Sequence, residues 1–484
     1  MINWKNERNL SILADFYEFT MANGYLKENI QDTITYFDLY FRSVPDNGGF
    51  AIFAGLEQFV EYIENLHFDD EDIEYFKSKK IFSEEFIDYL KNFEFKCDIW
   101  SMEEGTVIFP NEPLLIVRGP AIQAQLIETM SLILINHQTL IATKANRIVK
   151  SADGRAVMEF GSRRAQGADA ATIGARAAYI GGVLGTANTL TDKLFKVPAL
   201  GTMAHSWVMM FENEYEAFKA YAETFPNDTT LLVDTYDTLK SGIPNAIRVF
   251  DEVLKPMGKR PVGIRLDSGD IAYLSKEARK MLDRAGYDDC KIVASSALDE
   301  FKIKAMLEQG AKVDSFGVGE RLITSSSHPV FGGVYKLVAT EKDGTIIPKI
   351  KISENVEKIT TPGFKQVFRF YSKEDDKAIA DLVCLHDEKI DEDKPIEIFH
   401  PVHTWKRKTL ENFTVRKLLV PIFKEGKLVY DLPTLEEIKN KRIEEVKRLW
   451  DEVQRFDYPH IYIVDLSQKV WDIKNRLIQE TKHK

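Results

Sequence analysis

A chain of 484 residues exceeds what one hydrophobic core ordinarily supports, so two or three domains are expected, and 44% hydrophobic with 29% charged residues describes a globular protein. The net charge of −11 argues against a general nucleic-acid-binding surface; a phosphorylated ligand would need local pockets of Arg and backbone N–H. The cysteines Cys97, Cys290 and Cys384 lie far apart, which disfavours a disulfide framework or a zinc cluster and points to a reducing cytoplasm. Residues 1–8 carry charges of both signs rather than a signal-peptide core, and the apolar run 131–142 is interrupted by Asn136, His137 and Gln138, so no membrane span fits.

In chain order, the apolar positions Leu13, Phe16, Tyr17, Met21 and Tyr25 make a helical stripe that reads as a core helix on spacing alone. Residues 33–42 alternate as a strand, helices follow through about Phe93, and 112–118 reads as a short strand closed by Gly119-Pro120. A long helix spans 121–150. Beyond Asp153-Gly154, β-type runs at 156–160, 198–203, 230–233, 262–266, 291–295 and 315–318 alternate with helices such as 238–254, 271–284 and 300–309. That βαβ rhythm predicts a parallel sheet, and its density suggests an irregular (β/α) barrel with active groups at the strands' C-terminal ends.

The residue types at those ends are suited to anions. Gly201-Thr202-Met203-Ala204-His205-Ser206-Trp207 brings a histidine to the mouth of a helix predicted over 207–224, with Ser206 as N-cap. A helix N-terminus favours phosphate; the competing reading is a loop histidine bonded locally. Glu159-Phe160-Gly161-Ser162-Arg163-Arg164 sets two arginines after a strand, fit to grip phosphate or carboxylate or simply solvated. In Arg265-Leu266-Asp267-Ser268-Gly269-Asp270 the carboxylates orient sugar hydroxyls, hold a hydrated Mg²⁺ or cap the next helix. Arg265 would be buried there without purpose unless an anion met it. Ala294-Ser295-Ser296 repeats the theme more weakly. Gly317 and Gly319 expose backbone N–H groups as a late barrel loop does around a monophosphate.

The ordered set Asp15-Phe16-Tyr17-Glu18-Phe19-Thr20-Met21, Glu159 to Gly167, Gly201 to Ser206, Arg265 to Asp270 and Gly332-Gly333-Val334-Tyr335-Lys336-Leu337 resembles the nicotinate phosphoribosyltransferase family. The resemblance implies a cytoplasmic homodimer. It implies transfer of the phosphoribosyl group of phosphoribosyl pyrophosphate to nicotinate with Mg²⁺, coupled to ATP hydrolysis through a phosphohistidine, in NAD salvage. It assigns the phosphohistidine to His205, nicotinate contacts to Tyr17, Thr202 and Arg265, and a phosphoribosyl contact to Thr324. With the bottom-up candidates, the expected site holds His205, Asp267 and Asp270 as catalytic groups. Its substrate-binding groups are Tyr17, Phe160, Arg163, Arg164, Thr202, Arg265, Ser268, Gly269, Gly317, Gly319 and Thr324. Mg²⁺ is expected through substrate pyrophosphate near Asp267 and Asp270.

Other readings stay open on the residues: nicotinamide or quinolinate as the base, or a non-catalytic phosphosugar-binding module. A barrel lyase or aldolase would need a strand-end lysine, and none stands out. The expected fold is α/β. An irregular (β/α) barrel at 121–334 joins an α+β domain of 1–120 completed by 335–400, and 401–484 forms a helical extension. Strands at 334–340, 346–352, 367–371 and 379–385 are expected to join the N-terminal sheet, a hairpin is expected over 418–430, and a solvated amphipathic helix over 432–456.

Overall fold

The computed structural model describes residues 9–355 and 358–482; residues 1–8, read above for their charges, lie outside them. The chain divides into two compact units, residues 1–140 with 330–484, and residues 141–329. Both boundaries differ from expectation. The first falls inside the long helix Glu128–Ser151, and 401–484 belongs to the first unit rather than standing apart. Among the described residues no helix is long and apolar enough to cross a membrane.

Both chain ends build the first unit. Its seven-stranded sheet runs Thr345–Pro348, Val334–Lys342, Ile34–Tyr40, Leu115–Pro120, Asp98–Ser101, Val420–Lys424 and Lys427–Leu428, antiparallel throughout. Phe37, Leu39, Ile99, Ile116 and Tyr335 point from it into the main core. The strands Lys365–Ser372 and Ala378–Leu385 do not join this sheet; they pair with Phe413–Lys417 and Val464–Leu466 in a separate four-stranded one. Local alternation marks a strand but not its partner, which is why the expectation failed here.

The helix expected over 432–456 is shorter, Leu435–Lys447, opened by a Thr434/Glu437 capping box. Its charged face is not wholly solvated. Glu445 is buried against Arg369 (3.0 Å) and Arg416 (2.7 Å), and Arg369 also pairs with Asp381 at 2.6 Å. Burial of these charges is tolerable because each meets an opposite one with good geometry.

The second unit carries the parallel sheet, in the order Ala156–Glu159, Ser315–Val318, Lys291–Ala294, Gly263–Leu266, Thr230–Leu232. Single parallel bridges extend it past Glu159 to Thr186 and then Ala199. The strand expected over 198–203 is reduced to that one bridge. Pro198 has no N–H to give, and from Gly201 the chain leaves the sheet as irregular backbone. The ends of this run, Ala199 and Thr230–Leu232, are not paired with each other among the described residues.

Candidate active site

The loop 201–204 leads into a short helix, His205–Met209, so His205 is its first residue and Ser206 lies within it. The cap position falls to extended Ala204, which makes no side-chain cap bond. The helix expected to reach 224 breaks before Asn213, whose side chain accepts the Glu216 N–H (3.1 Å) and starts a second helix, Glu214–Thr224. The Trp207 indole N–H donates to the Ala217 carbonyl at 3.0 Å and clamps the two helices together. Apolar spacing runs across the break because both helices face one core, so periodicity alone could not reveal it.

His205 turns Nε2 toward Asp234 Oδ1, 3.2 Å away. The Asp234 side chain is only 1% exposed, and its second oxygen accepts from the Asp267 N–H and the Ser268 hydroxyl, both at 2.7 Å. Asp267 in turn receives Arg265 Nη2 at 2.9 Å and the Ser295 hydroxyl. Arg265 donates further to Ser295 Oγ (2.9 Å), Thr202 Oγ1 (3.3 Å) and the Met203 carbonyl (3.3 Å). One unbroken hydrogen-bond chain therefore joins His205 to Arg265 and returns to the loop that carries His205. The anion that a buried Arg265 required is supplied by the chain itself, as Asp267.

Beside this network, the Arg265 guanidinium lies 5.7 Å from the centre of the Phe160 ring. Phe160 can occupy that place because Gly317 has no side chain: a Cβ there would come within 2.5 Å of the ring. The preceding Glu159 is fully buried, held by Thr186 Oγ1 (2.6 Å) and the Gly161 N–H, and burial raises its pKa. Gly269 takes φ +80°, a left-handed turn that directs Asp267 and Ser268 to one side and Asp270 to the other.

Several expected site residues make other contacts. Asp270 caps the helix Ile271–Arg284 by accepting the Tyr273 N–H at 3.0 Å. Thr324 donates to the Glu320 carbonyl at 2.7 Å, within its own turn. Arg163 and Arg164 are exposed, Arg164 facing Glu320 at 3.6 Å, and Gly319 precedes the short helix Glu320–Ile323. Tyr17 belongs to the first unit, on the helix Phe16–Lys27. Among the described residues no three His, Cys, Asp or Glu side chains gather as metal ligands.

Three family models match the chain: the nicotinate phosphoribosyltransferase N-terminal domain over residues 12–136, the nicotinate phosphoribosyltransferase family over 155–375, and the corresponding C-terminal domain over 364–474. A nicotinate phosphoribosyltransferase of Bacillus subtilis (strain 168) is 46% identical over 475 residues, covering 98% of this chain and 96% of that one. The chain belongs to the nicotinate phosphoribosyltransferase family. A Mus musculus nicotinate phosphoribosyltransferase is 30% identical over 521 residues, 95% of each chain. The crystal structure of human nicotinic acid phosphoribosyltransferase superposes with a TM-score of 0.85 at 29% identity, covering 96% of this chain and 99% of that one.

The nicotinate phosphoribosyltransferase family segment 155–375 contains every side chain of the network from His205 to Arg265. Sequence reasoning missed Asp234. It stands two residues past the strand Thr230–Leu232, where a parallel sheet presents its functional groups, so strand-end position was the available signal. Lying between two motifs rather than in one, it was passed over.

Proposed function

We propose that this protein forms nicotinate mononucleotide and pyrophosphate from nicotinate and phosphoribosyl pyrophosphate in NAD salvage, with ATP hydrolysis coupled through a phosphorylated His205. The observation that carries this reading is the continuous hydrogen-bond chain from His205 through Asp234 and Asp267 to Arg265. An imidazole whose Nε2–H is accepted by a buried carboxylate keeps the lone pair on Nδ1. That nitrogen attacks the γ-phosphorus of ATP, the bond to the bridging oxygen breaks, and ADP departs. Later attack by water returns the free imidazole and phosphate. Charge appearing on His205 is thus transmitted, through shared oxygens and N–H groups, to the turn that holds Arg265.

Arg265 is the group for the nicotinate carboxylate, its fork aimed by Ser295, Thr202 and Asp267. Phe160, beneath that guanidinium, offers a face to the pyridine ring. With the base so held, its ring nitrogen attacks C1 of the ribose as pyrophosphate leaves, a step that depends on positioning and charge stabilisation. Asp267 uses Oδ1 for the bonds described, and its Oδ2 would meet a hydrated cation, the mode of one or two carboxylates plus substrate oxygens that Mg²⁺ prefers, whereas Asp270 is taken by the cap of the next helix. When bound, Mg²⁺ neutralises the charge of the departing pyrophosphate. The active species is a homodimer.

Product assays with nicotinate, nicotinamide or quinolinate, each with the phosphoribosyl donor and with or without ATP, test this reading. Turnover of nicotinate, raised by ATP, is expected. Equal turnover of nicotinamide refutes the assigned specificity, and no turnover of any base returns the protein to a phosphosugar-binding role.

A further inference from the structure

Two elements outside the sequence motifs support the His205–Asp234 pair, the helix Glu214–Thr224 and the turn that follows Asp234. The helix holds the loop of His205 at two points. Its Ala217 carbonyl takes the Trp207 indole N–H, and its Tyr221 hydroxyl donates to the Thr202 carbonyl at 3.3 Å. Trp207 also packs edge-on against Tyr221, with ring centres 5.9 Å apart, so residues 202–207 are carried by this helix.

Asp234 is held from its other side. Asp237 opens a π-type turn, Thr238–Gly242, by accepting the Leu239 and Lys240 N–H groups at 3.2 and 2.9 Å, and its carbonyl receives the Gly242 N–H at 2.9 Å. The turn seats Gly242 on the residue before Asp234: a Cβ there would lie 1.8 Å from the Val233 carbonyl oxygen. Glu214, the first residue of the helix, joins the two elements. Its carboxylate is buried, and Oε2 accepts from the Ser241 hydroxyl and from Asn245 Nδ2, the latter at 3.2 Å. Its Oε1 has no hydrogen-bond partner among the described residues. A buried carboxylate with an unmatched oxygen costs stability rather than adding to it, and local rules are broken in this way where a site is being held.

We propose that Glu214 is a positioning residue for the phosphorylation of His205: it ties the turn behind Asp234 to the helix that carries His205, so that Nε2 and Oδ1 stay 3.2 Å apart. This rests on the reading of His205 as the phosphorylated group. Catalytic geometry is sensitive to supports of this kind, a displacement of about 1 Å from a distant change being enough to lower a rate about a hundredfold. Without the tie the pair separates part of the time, and the imidazole proton is free to move to Nδ1, the nitrogen that attacks ATP.

Glu214→Ala, Glu214→Gln, Ser241→Ala and the double variant Glu214→Ala/Ser241→Ala, each first checked as folded by urea denaturation, test this role. Labelling by γ-labelled ATP should fall about tenfold in Glu214→Ala, the factor that one hydrogen bond to a charged group is worth. KM for nicotinate without ATP should stay nearly unchanged, because Arg265 itself holds Thr202 and Met203. Glu214→Gln keeps the accepting oxygen and should label at nearly the parent rate, since its amide nitrogen replaces Oε1, which serves no such bond. Ser241→Ala should lose part of the labelling, and the double variant no more than Glu214→Ala alone. Independently of turnover, ¹⁵N-histidine NMR, with His205→Ala to assign the signal, should find the parent His205 proton on Nε2 and a share of it on Nδ1 in Glu214→Ala. Parent-rate labelling of Glu214→Ala, an equal loss in Glu214→Gln, or a tautomer unmoved by Glu214→Ala overturns the proposal. Should Glu214→Ala not fold, Ser241→Ala decides, and labelling and tautomer at parent values overturn the proposal. If the parent protein takes no label, the phosphohistidine reading falls, and the NMR still reports whether Glu214 holds the pair.

Discussion

Replacing Asp234 by Asn inverts the hydrogen-bonding sense of the group facing His205. Asp234 Oδ2 serves the Asp267 N–H and the Ser268 hydroxyl at 2.7 Å, and the single oxygen of Asn can keep both. Its NH₂ then occupies the place of Oδ1, 3.2 Å from Nε2, and Nε2 must accept rather than donate. The ring proton moves to Nδ1 and removes the lone pair that attacks ATP. A forced wrong tautomer lowers a histidine-dependent rate by about 10³–10⁴, so labelling of the protein by γ-labelled ATP should fall by that factor. Stability should change little, since only the charge-assisted part of the two retained bonds is lost, about 1 kcal/mol. Asp234→Ala differs: it strips both 2.7 Å bonds, about 1.5–3 kcal/mol each for bonds to a charged acceptor, and confounds chemistry with folding. The assay is therefore acid-labile, base-stable incorporation into Asp234→Asn, alongside urea denaturation. Incorporation at the parent rate, with His205→Ala unlabelled, would refute the role given to Asp234.

Arg265→Ala should raise KM for nicotinate more than KM for ATP in steady-state assays, and Arg265→Lys should not restore it, because one ammonium cannot serve Ser295, Thr202 and Asp267 together. The opposite ranking of the two KM values would move Arg265 to the nucleotide side. Gly317→Ala places a Cβ 2.5 Å from the Phe160 ring and should displace it, at an overpacking cost of about 1–3 kcal/mol in urea denaturation and with weaker nicotinate binding by calorimetry. Glu18 has its pKa raised to about 8, first by burial and then, among the charges, by Glu128 and Asp15, against the bonds from Thr129 that lower it. The folded state therefore holds a proton that the unfolded chain loses near the ordinary carboxylate value. Its contribution to stability is complete below about pH 4.5 and is lost as pH rises to about 8. Denaturation of Glu18→Gln between pH 5 and 9 should lack that slope; an unchanged slope would remove Glu18 as its source.

Local sequence is enough to set most elements and their chemical types. The strands ending at Glu159, Leu266, Ala294 and Val318 and the turn Asp267-Ser268-Gly269 are local matters of periodicity and glycine, and each is found where its residues indicate, whereas the helix beside His205 begins two residues before its expected start. Tertiary structure decided which of these groups touch. Asp234 carries no motif and matters only because the parallel register sets Leu232 beside Arg265, so that the loops after these strands meet. Asp270, equal to Asp267 in sequence, is turned away to cap a helix by the positive φ of Gly269. The motifs at 15–21 and 332–337, far apart in the chain, close on one helix end only in the fold, through Thr129 and Glu18 on one side and Glu128 and Lys336 on the other. Backbone preference is encoded within a few residues, whereas a site is a set of side-chain directions imposed by strand partners distant in sequence, and no local pattern contains them.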